Sequence, residues 1–108
     1  MTAGNRLSFG IKTAQSRTTY EDMLRIWLEA DSIPSFEHAW LLDHFMPQSG
    51  DCTDPFLEGW TLLSAFAAVT KRLRLGLTVS SNTYRHPAVL AKMAATVRRE
   101  NPIPVYAA

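Results

Sequence analysis

The chain has 108 residues, enough for one domain with a core of its own and too few for two ordinary ones. With 46% hydrophobic and 19% charged residues it sits with average globular proteins, which sets aside disorder and fibrous repeats. The formal charge is only +1, and the basic clusters, Lys71-Arg72 with Arg74 and Arg98-Arg99, are small and separated, so no nucleic-acid or anionic-membrane partner is expected.

In chain order, Leu7, Phe9 and Ile11 alternate with Ser8, Gly10 and Lys12, the period-2 signal of a strand with one apolar face. A polar stretch follows. Thr19 and Asp22 then stand at capping-box spacing, with the threonine hydroxyl placed to satisfy an orphan N–H. Tyr20, Met23, Leu24, Trp27 and Ala30 share one face of the helix that begins there, and Pro34 marks its end. The run His38-Ala39-Trp40-Leu41-Leu42 lies between Pro34 and Pro47 and is too short for an ordinary helix, so it is read as a strand buried on both faces. That strand delivers Asp43 and His44 at its carboxyl end.

After the polar loop MPQSGDCTD, Asp54-Pro55 predicts an N-cap and a first-turn proline for a helix from about Pro55 to Thr70, with Gly59 a mild interior defect and Lys71-Arg72 favourable to its dipole. Leu73, Leu75, Leu77 and Val79 alternate with Arg74, Gly76 and Thr78 as a third strand. The loop SSNTYRH leads into a helix that opens on Pro87. The order β-α-β-α-β-α implies parallel strands joined by right-handed crossovers, and chemistry in such folds gathers at the carboxyl ends of the strands.

Asp43-His44 is therefore the first candidate site: an imidazole able to give or take a proton near neutral pH, beside an acid able to hydrogen-bond a ligand. Neighbouring strand residues point to opposite faces, so the two need not touch each other, yet both can reach a ligand at the strand's end. The blander alternative, in which His44 bonds a carbonyl and Asp43 caps a loop, is the commoner fate of two adjacent polar residues. Ser80, Ser81 and Asn82 offer hydroxyl and amide groups after the third strand, or simply form a turn. His38, His44 and His86 show no ligand spacing, so no metal site is expected, and the glycines match no nucleotide-binding fingerprint. Trp27, Trp40 and Trp60 are assigned to core faces. The single cysteine, Cys52, excludes an internal disulfide, and with no signal-peptide or membrane-spanning run the expected location is the cytoplasm.

Three stretches together, FGIKTAQ, HAWLLDHFMP and EGWTLLSAFAAVTKRLRLGLTVSSNTYRHPAVLAKMAATV, resemble the amino-terminal part of the bacterial luciferase-like monooxygenases, especially the branch that uses the deazaflavin coenzyme F-420. The resemblance runs from about Leu7 to Val97 and rests on the combination of Asp43-His44 with Thr70, Lys71-Arg72, Leu73, Leu75 and Gly76, and with Asn82, Tyr84, Arg85, His86, Pro87 and Ala88. It implies three βα units of a (β/α)8 TIM barrel, truncated relative to the about 250 residues and eight strands of a whole one. It also implies an oxidoreductase moving a hydride between F-420, or alternatively FMN, and a small organic substrate. Catalytic roles would fall on His44, as proton acceptor, and Asp43; Asp43, Thr78, Val79, Ser80 and Asn82 would contact the cofactor, with a cis peptide at Thr78-Val79.

The tail RRENPIPVYAA departs from the family pattern, and Pro102 and Pro104 argue against a regular continuation. The expected organisation is thus a βαβαβα segment over 1–97 and a divergent or disordered tail over 98–108. Three strands leave two open edges and a bare inner face carrying Ser8, Gly10, Lys12, Gly76 and Thr78, so a homo-oligomer is expected. The competing expectation is a catalytically inactive fragment that folds by self-association.

Overall fold

The computed structural model describes residues 4–100 and 105–107. Strand β1 (Phe9–Lys12), helix α1 (Tyr20–Ser32), β2 (Phe36–Leu41), α2 (Gly59–Val69), β3 (Arg74–Leu77), α3 (Pro87–Glu100) and β4 (Val105–Ala107) follow one another. All pairings are parallel, in the order β1-β2-β3-β4. The fourth strand was not legible in the tail, because three residues are too few to show an alternation. Pro102 and Pro104 lie outside the described residues.

The helices cover one face of the sheet. Met23, Trp27 and Ala30 of α1 and Trp60, Leu63, Phe66 and Ala67 of α2 pack with Ala39, Leu41, Leu73, Leu75 and Leu77 into one buried cluster. Trp27 and Phe66 meet at its centre with ring centroids 4.7 Å apart, and the Trp27 indole N–H is satisfied by Thr13 Oγ1 at 2.9 Å. Stripping such a ring to alanine costs about 3–5 kcal/mol. Asp31, at the end of α1, takes the backbone N–H groups of Lys71, Arg72 and Leu73, which pins the start of β3.

Several local expectations change. Leu7 and Phe9 are exposed and only Ile11 of the β1 face packs on the core. The cause is a slip in the ladder: Phe9 pairs with Phe36 but Gly10 with His38, so Glu37 is skipped and is held by Arg6 and Ser8 instead. Helix α2 starts at Gly59, not Pro55. Its cap is Glu58, which accepts from Trp60 N and Thr61 N at 3.2 and 2.7 Å, while Asp54 is drawn to Arg17 and Phe56 bridges to Ser16. Gly59 is thus no interior defect: a Cβ there would stand 2.6 Å from Leu42 O and 2.7 Å from Leu77 Cδ2. Arg72 serves the carboxyl end of α1 rather than that of α2, donating to the carbonyls of Ala30, Asp31 and Ile33.

Strand β2 is buried on one face and half-buried on the other. Ala39 and Leu41 face the helices; His38 and Trp40 face away, so Trp40 is not a core residue of the helix side. Their rings lie over Gly10 and Gly76, where a Cβ would collide with His38 and Trp40 respectively. The Trp40 indole donates to His38 Nδ1 at 2.9 Å.

Candidate functional site

The rim formed by the carboxyl ends of β2 and β3 begins with a buried glutamine. Gln15, with no exposed surface, accepts from Leu42 N at 2.9 Å through Oε1 and donates to Leu42 O at 2.7 Å through Nε2. One side chain thereby satisfies both backbone groups of the residue that leads into Asp43 and His44, which a buried strand end would otherwise leave unpaired. Thr78 N donates to Leu41 O at 2.9 Å, so β3 leaves the sheet at the same level, and the Thr78-Val79 peptide is cis.

Asp43 and His44, just beyond β2, turn to different sides. Asp43 is wholly buried. Its carboxylate receives two parallel bonds from Arg85, Nη1 to Oδ2 at 2.7 Å and Nη2 to Oδ1 at 3.0 Å, and a third from Ser80 Oγ at 2.7 Å. Burial opposes its ionisation, but the Arg85 and Ser80 bonds and the guanidinium charge outweigh burial and hold the carboxyl below the usual aspartate range. Arg85 also lies 3.9 Å from Glu58, the cap of α2. The ion pair therefore ties the ends of β2, β3 and α2 into one unit.

His44 turns the other way, toward solvent. Its Nε2 is 2.9 Å from Gln48 Nε2 and its Nδ1 is 3.4 Å from Tyr84 Oη. Phe45 stacks obliquely on Tyr84 at 4.7 Å. His44, Phe45, Met46, Pro47, Gln48 and Tyr84 line an open cleft of about 440 Å³. Phe45, Met46 and Val79 are all more than half exposed.

The structure thus joins Asp43 to Ser80 and places Thr78 beside the end of β2, with Val79 exposed on the cis bond. Asn82 stands exposed on the following loop and bonds to none of the other candidates. Sequence reasoning missed Arg85, Tyr84, Gln15 and Gln48 as parts of this rim. The signal for Arg85 was available: a buried acid needs a cation, and Arg85 is the basic residue of the β3–α3 loop. Nothing in the sequence marked Gln15. Among the described residues no group of three or more histidine, cysteine, aspartate or glutamate side chains could hold a metal ion, and no helix is long and apolar enough to cross a membrane.

Parallel strands alternating with helices, and a polar rim where two neighbouring strands end, define a segment of a parallel α/β fold. The family model described as luciferase-like monooxygenase matches residues 1–99, and the chain belongs to that family. Among solved structures it is similar to the coenzyme F-420-dependent tetrahydromethanopterin reductase from Methanopyrus kandleri, with 21% identity and a TM-score of 0.74 over 93% of this chain and 26% of that one. An F-420-dependent secondary alcohol dehydrogenase, in complex with an F-420-acetone adduct, matches with 22% identity and a TM-score of 0.76 over 94% of this chain and 31% of that one. A monooxygenase from Streptomyces bottropensis matches with 22% identity and a TM-score of 0.67 over 94% of this chain and 32% of that one. The chain therefore spans between a quarter and a third of the length of these structures. No curated protein sequence matches it.

Proposed function

We propose that residues 1–97 form the part of a luciferase-like oxidoreductase that seats the ring of a deazaflavin or flavin and presents His44 to a small organic substrate. The observation that supports this best is the single rim: a histidine lining an open cleft, next to a loop that exposes Val79 on a cis peptide.

The residues fit the ring of such a cofactor. Val79, Phe45 and Met46 offer exposed apolar surface to a planar group, and the polar edge beside them carries no free charge: Asp43 is matched by Arg85, and Arg85 is committed to Asp43 and Glu58. Thr78, Val79, Ser80 and Asn82 would hold the ring edge. Bound there, a deazaflavin or flavin supplies a two-electron hydride carrier.

The chain's own part is proton handling and orientation. A substrate hydroxyl would take the place of the Gln48 amide at His44 Nε2, which would accept the hydroxyl proton, while an oxidised deazaflavin or flavin would take the hydride from the carbinol carbon and leave a carbonyl product. Asp43 acts from behind the rim, since it has no exposed surface with which to touch a substrate. Fluorescence titration with F-420 and with FMN tests the reading: saturable binding that is weakened at least about tenfold, or about 1.4 kcal/mol, in His44→Ala or Val79→Asp supports it. Absence of binding by either cofactor counts against it.

A second reading has its own observation. The face bearing His38 and Trp40 is half-exposed, and Leu7, before β1, and Phe9, at its start, are exposed, an apolar surface suited to association between copies. Self-association and cofactor binding are compatible, and the first is compatible with an inactive fragment.

A further inference from the structure

The β2–α2 loop, residues 42–58, is longer than the about 12–15 residues beyond which a connection without regular structure becomes uncommon, and it carries one wall of the cleft. The β1–α1 loop runs beside it. Leu57 N donates to Gln15 O at 3.2 Å, Ser16 pairs antiparallel with Phe56, and Arg17 N donates to Pro55 O at 2.9 Å. At the other end, Gln15 fixes Leu42 and Arg85 fixes Asp43. The wall between, His44 to Gln48, leans on Tyr84 through His44 and Phe45; Phe45, Met46 and Gln48 are exposed and Pro47 is buried.

We propose that Arg17 is the positioning residue of this wall: its guanidinium ties Ser49, the residue that follows the wall, to the β1–α1 loop and so holds His44 to Gln48 in place along the cleft. Three observations converge. Nη2 donates to Ser49 O at 2.8 Å while Nε donates to Asp54 Oδ2 at 2.6 Å, so one head group staples two points of the long loop. Gly50, at a φ of 77°, leaves room for that head group, since a Cβ there would stand 2.5 Å from Arg17 Nη2. Arg17 itself has a φ of 52°, in the left-handed region that residues other than glycine seldom adopt, and its backbone bond to Pro55 O accompanies that turn. A strained backbone, a charged staple and a glycine seat thus meet at one point.

An ion pair as exposed as Arg17–Asp54 adds little to the stability of the whole chain. Its leverage is local, because a surface loop opens at a small fraction of the global unfolding free energy and a charge-assisted staple is large on that scale. The sheet and helices stand without Arg17, whereas the wall loses its second anchor. The consequence for function rests on the reading of the cleft as the seat of cofactor ring and substrate, but the test does not, because it uses the ligand-free 108-residue chain.

Backbone nitrogen relaxation reads the order of each amide. In the unaltered chain Phe45, Met46, Gln48, Ser49 and Gly50 are expected near the order parameter of rigid backbone, about 0.85. Arg17→Gly suits the left-handed backbone, keeps the N–H that bonds Pro55 O and removes the staple alone. In that variant the same amides fall below about 0.6 or broaden through microsecond–millisecond exchange, and the ring contact of Phe45 with Tyr84 weakens, while Leu75 and Leu77 of β3 stay rigid. Arg25→Ala, which removes an exposed pair with Asp22 on α1, changes none of these signals. If Arg17→Gly does not fold, Asp54→Ala, which frees the guanidinium from its other end, is read in the same way. Wall amides already below about 0.6 in the unaltered chain overturn the proposal, and so do wall amides unchanged in Arg17→Gly, or failing that in Asp54→Ala. Loss of order spread equally over β3 overturns it too, since Arg17 would then support the fold and not the wall. In the titration with F-420, Arg17→Gly should bind about three- to tenfold more weakly. An unaltered chain that binds neither cofactor while its wall behaves as expected would instead count against the functional reading alone.

Discussion

Replacing Arg85 with methionine removes one half of the most buried ion pair among the described residues. In the native chain Asp43 has no exposed surface and accepts two bonds from Arg85 and one from Ser80; without the guanidinium, Ser80 and the weaker help of the Trp60 indole are left to hold a buried carboxylate. Breaking one side of a buried pair costs about 3–5 kcal/mol. Arg85 retains a little solvent contact, so the lower end applies, about 3 kcal/mol, which for a chain of this size lowers Tm by about 12–20 °C. The pH dependence carries a sign that packing loss alone does not. Asp43 of the native chain is held below its ordinary value, so its contribution is complete above the unfolded aspartate pKa of about 3.9 and is lost as pH falls through the folded value. In Arg85→Met burial acts with little opposition and raises the carboxyl, so the variant gains relative stability as acid neutralises it. Urea unfolding followed by circular dichroism should therefore show the largest gap between the two proteins near neutral pH and a narrowing gap toward about pH 4. A gap below about 1 kcal/mol at neutral pH, or one indifferent to pH, would refute the reasoning.

Further outcomes follow from single contacts. Gly59→Ala, although alanine is the better helix former, should destabilise by about 1–3 kcal/mol in thermal melts, because its methyl meets Leu42 O, a carbonyl already held by Gln15. Gln15→Leu should cost about 2–4 kcal/mol in urea titrations by stranding the buried N–H and C=O of Leu42, and should broaden the amide resonances of Asp43 and His44. Asp31→Ala should lower stability by about 2 kcal/mol at neutral pH, since three backbone N–H groups at the start of β3 lose their acceptor. Burial opposes the charge of Asp31, yet those bonds hold its carboxyl below the usual range, so this advantage fades as pH falls through that lowered value. Sedimentation of the 108-residue chain should show self-association that Phe9→Glu weakens; a concentration-independent monomer would contradict the apolar-face reading.

The elements that could be read from sequence are those whose signal is local. Thr19 caps α1 through Asp22 N as its spacing implied, and Leu73, Leu75 and Leu77 alternate into the core. What escaped was set by partners distant in the chain. Asp54-Pro55 carries a good helix start, but Arg17, 37 residues away, claims Asp54, and the helix waits for Glu58. Trp40 reads as core because tryptophan usually is; its actual seat depends on Gly76 across the ladder, which has no side chain to compete with the ring. At the site, the Asp43-His44 pair was legible as a titratable strand end, but its division of labour was not. That division depends on Arg85, 42 residues away, which draws Asp43 inward while His44 stays in the cleft.

The central claim is that one rim, made of His44 and the Thr78–Ser80 edge, receives the cofactor ring. The most direct measurement is an amide and imidazole NMR map of the chain during titration with F-420. The account predicts saturable shifts concentrated at His44, Phe45, Thr78, Val79 and Ser80. Shifts confined instead to the groove between α2 and α3, at Ser64, Val89, Lys92 and Met93, or no saturable shifts at all, would contradict it.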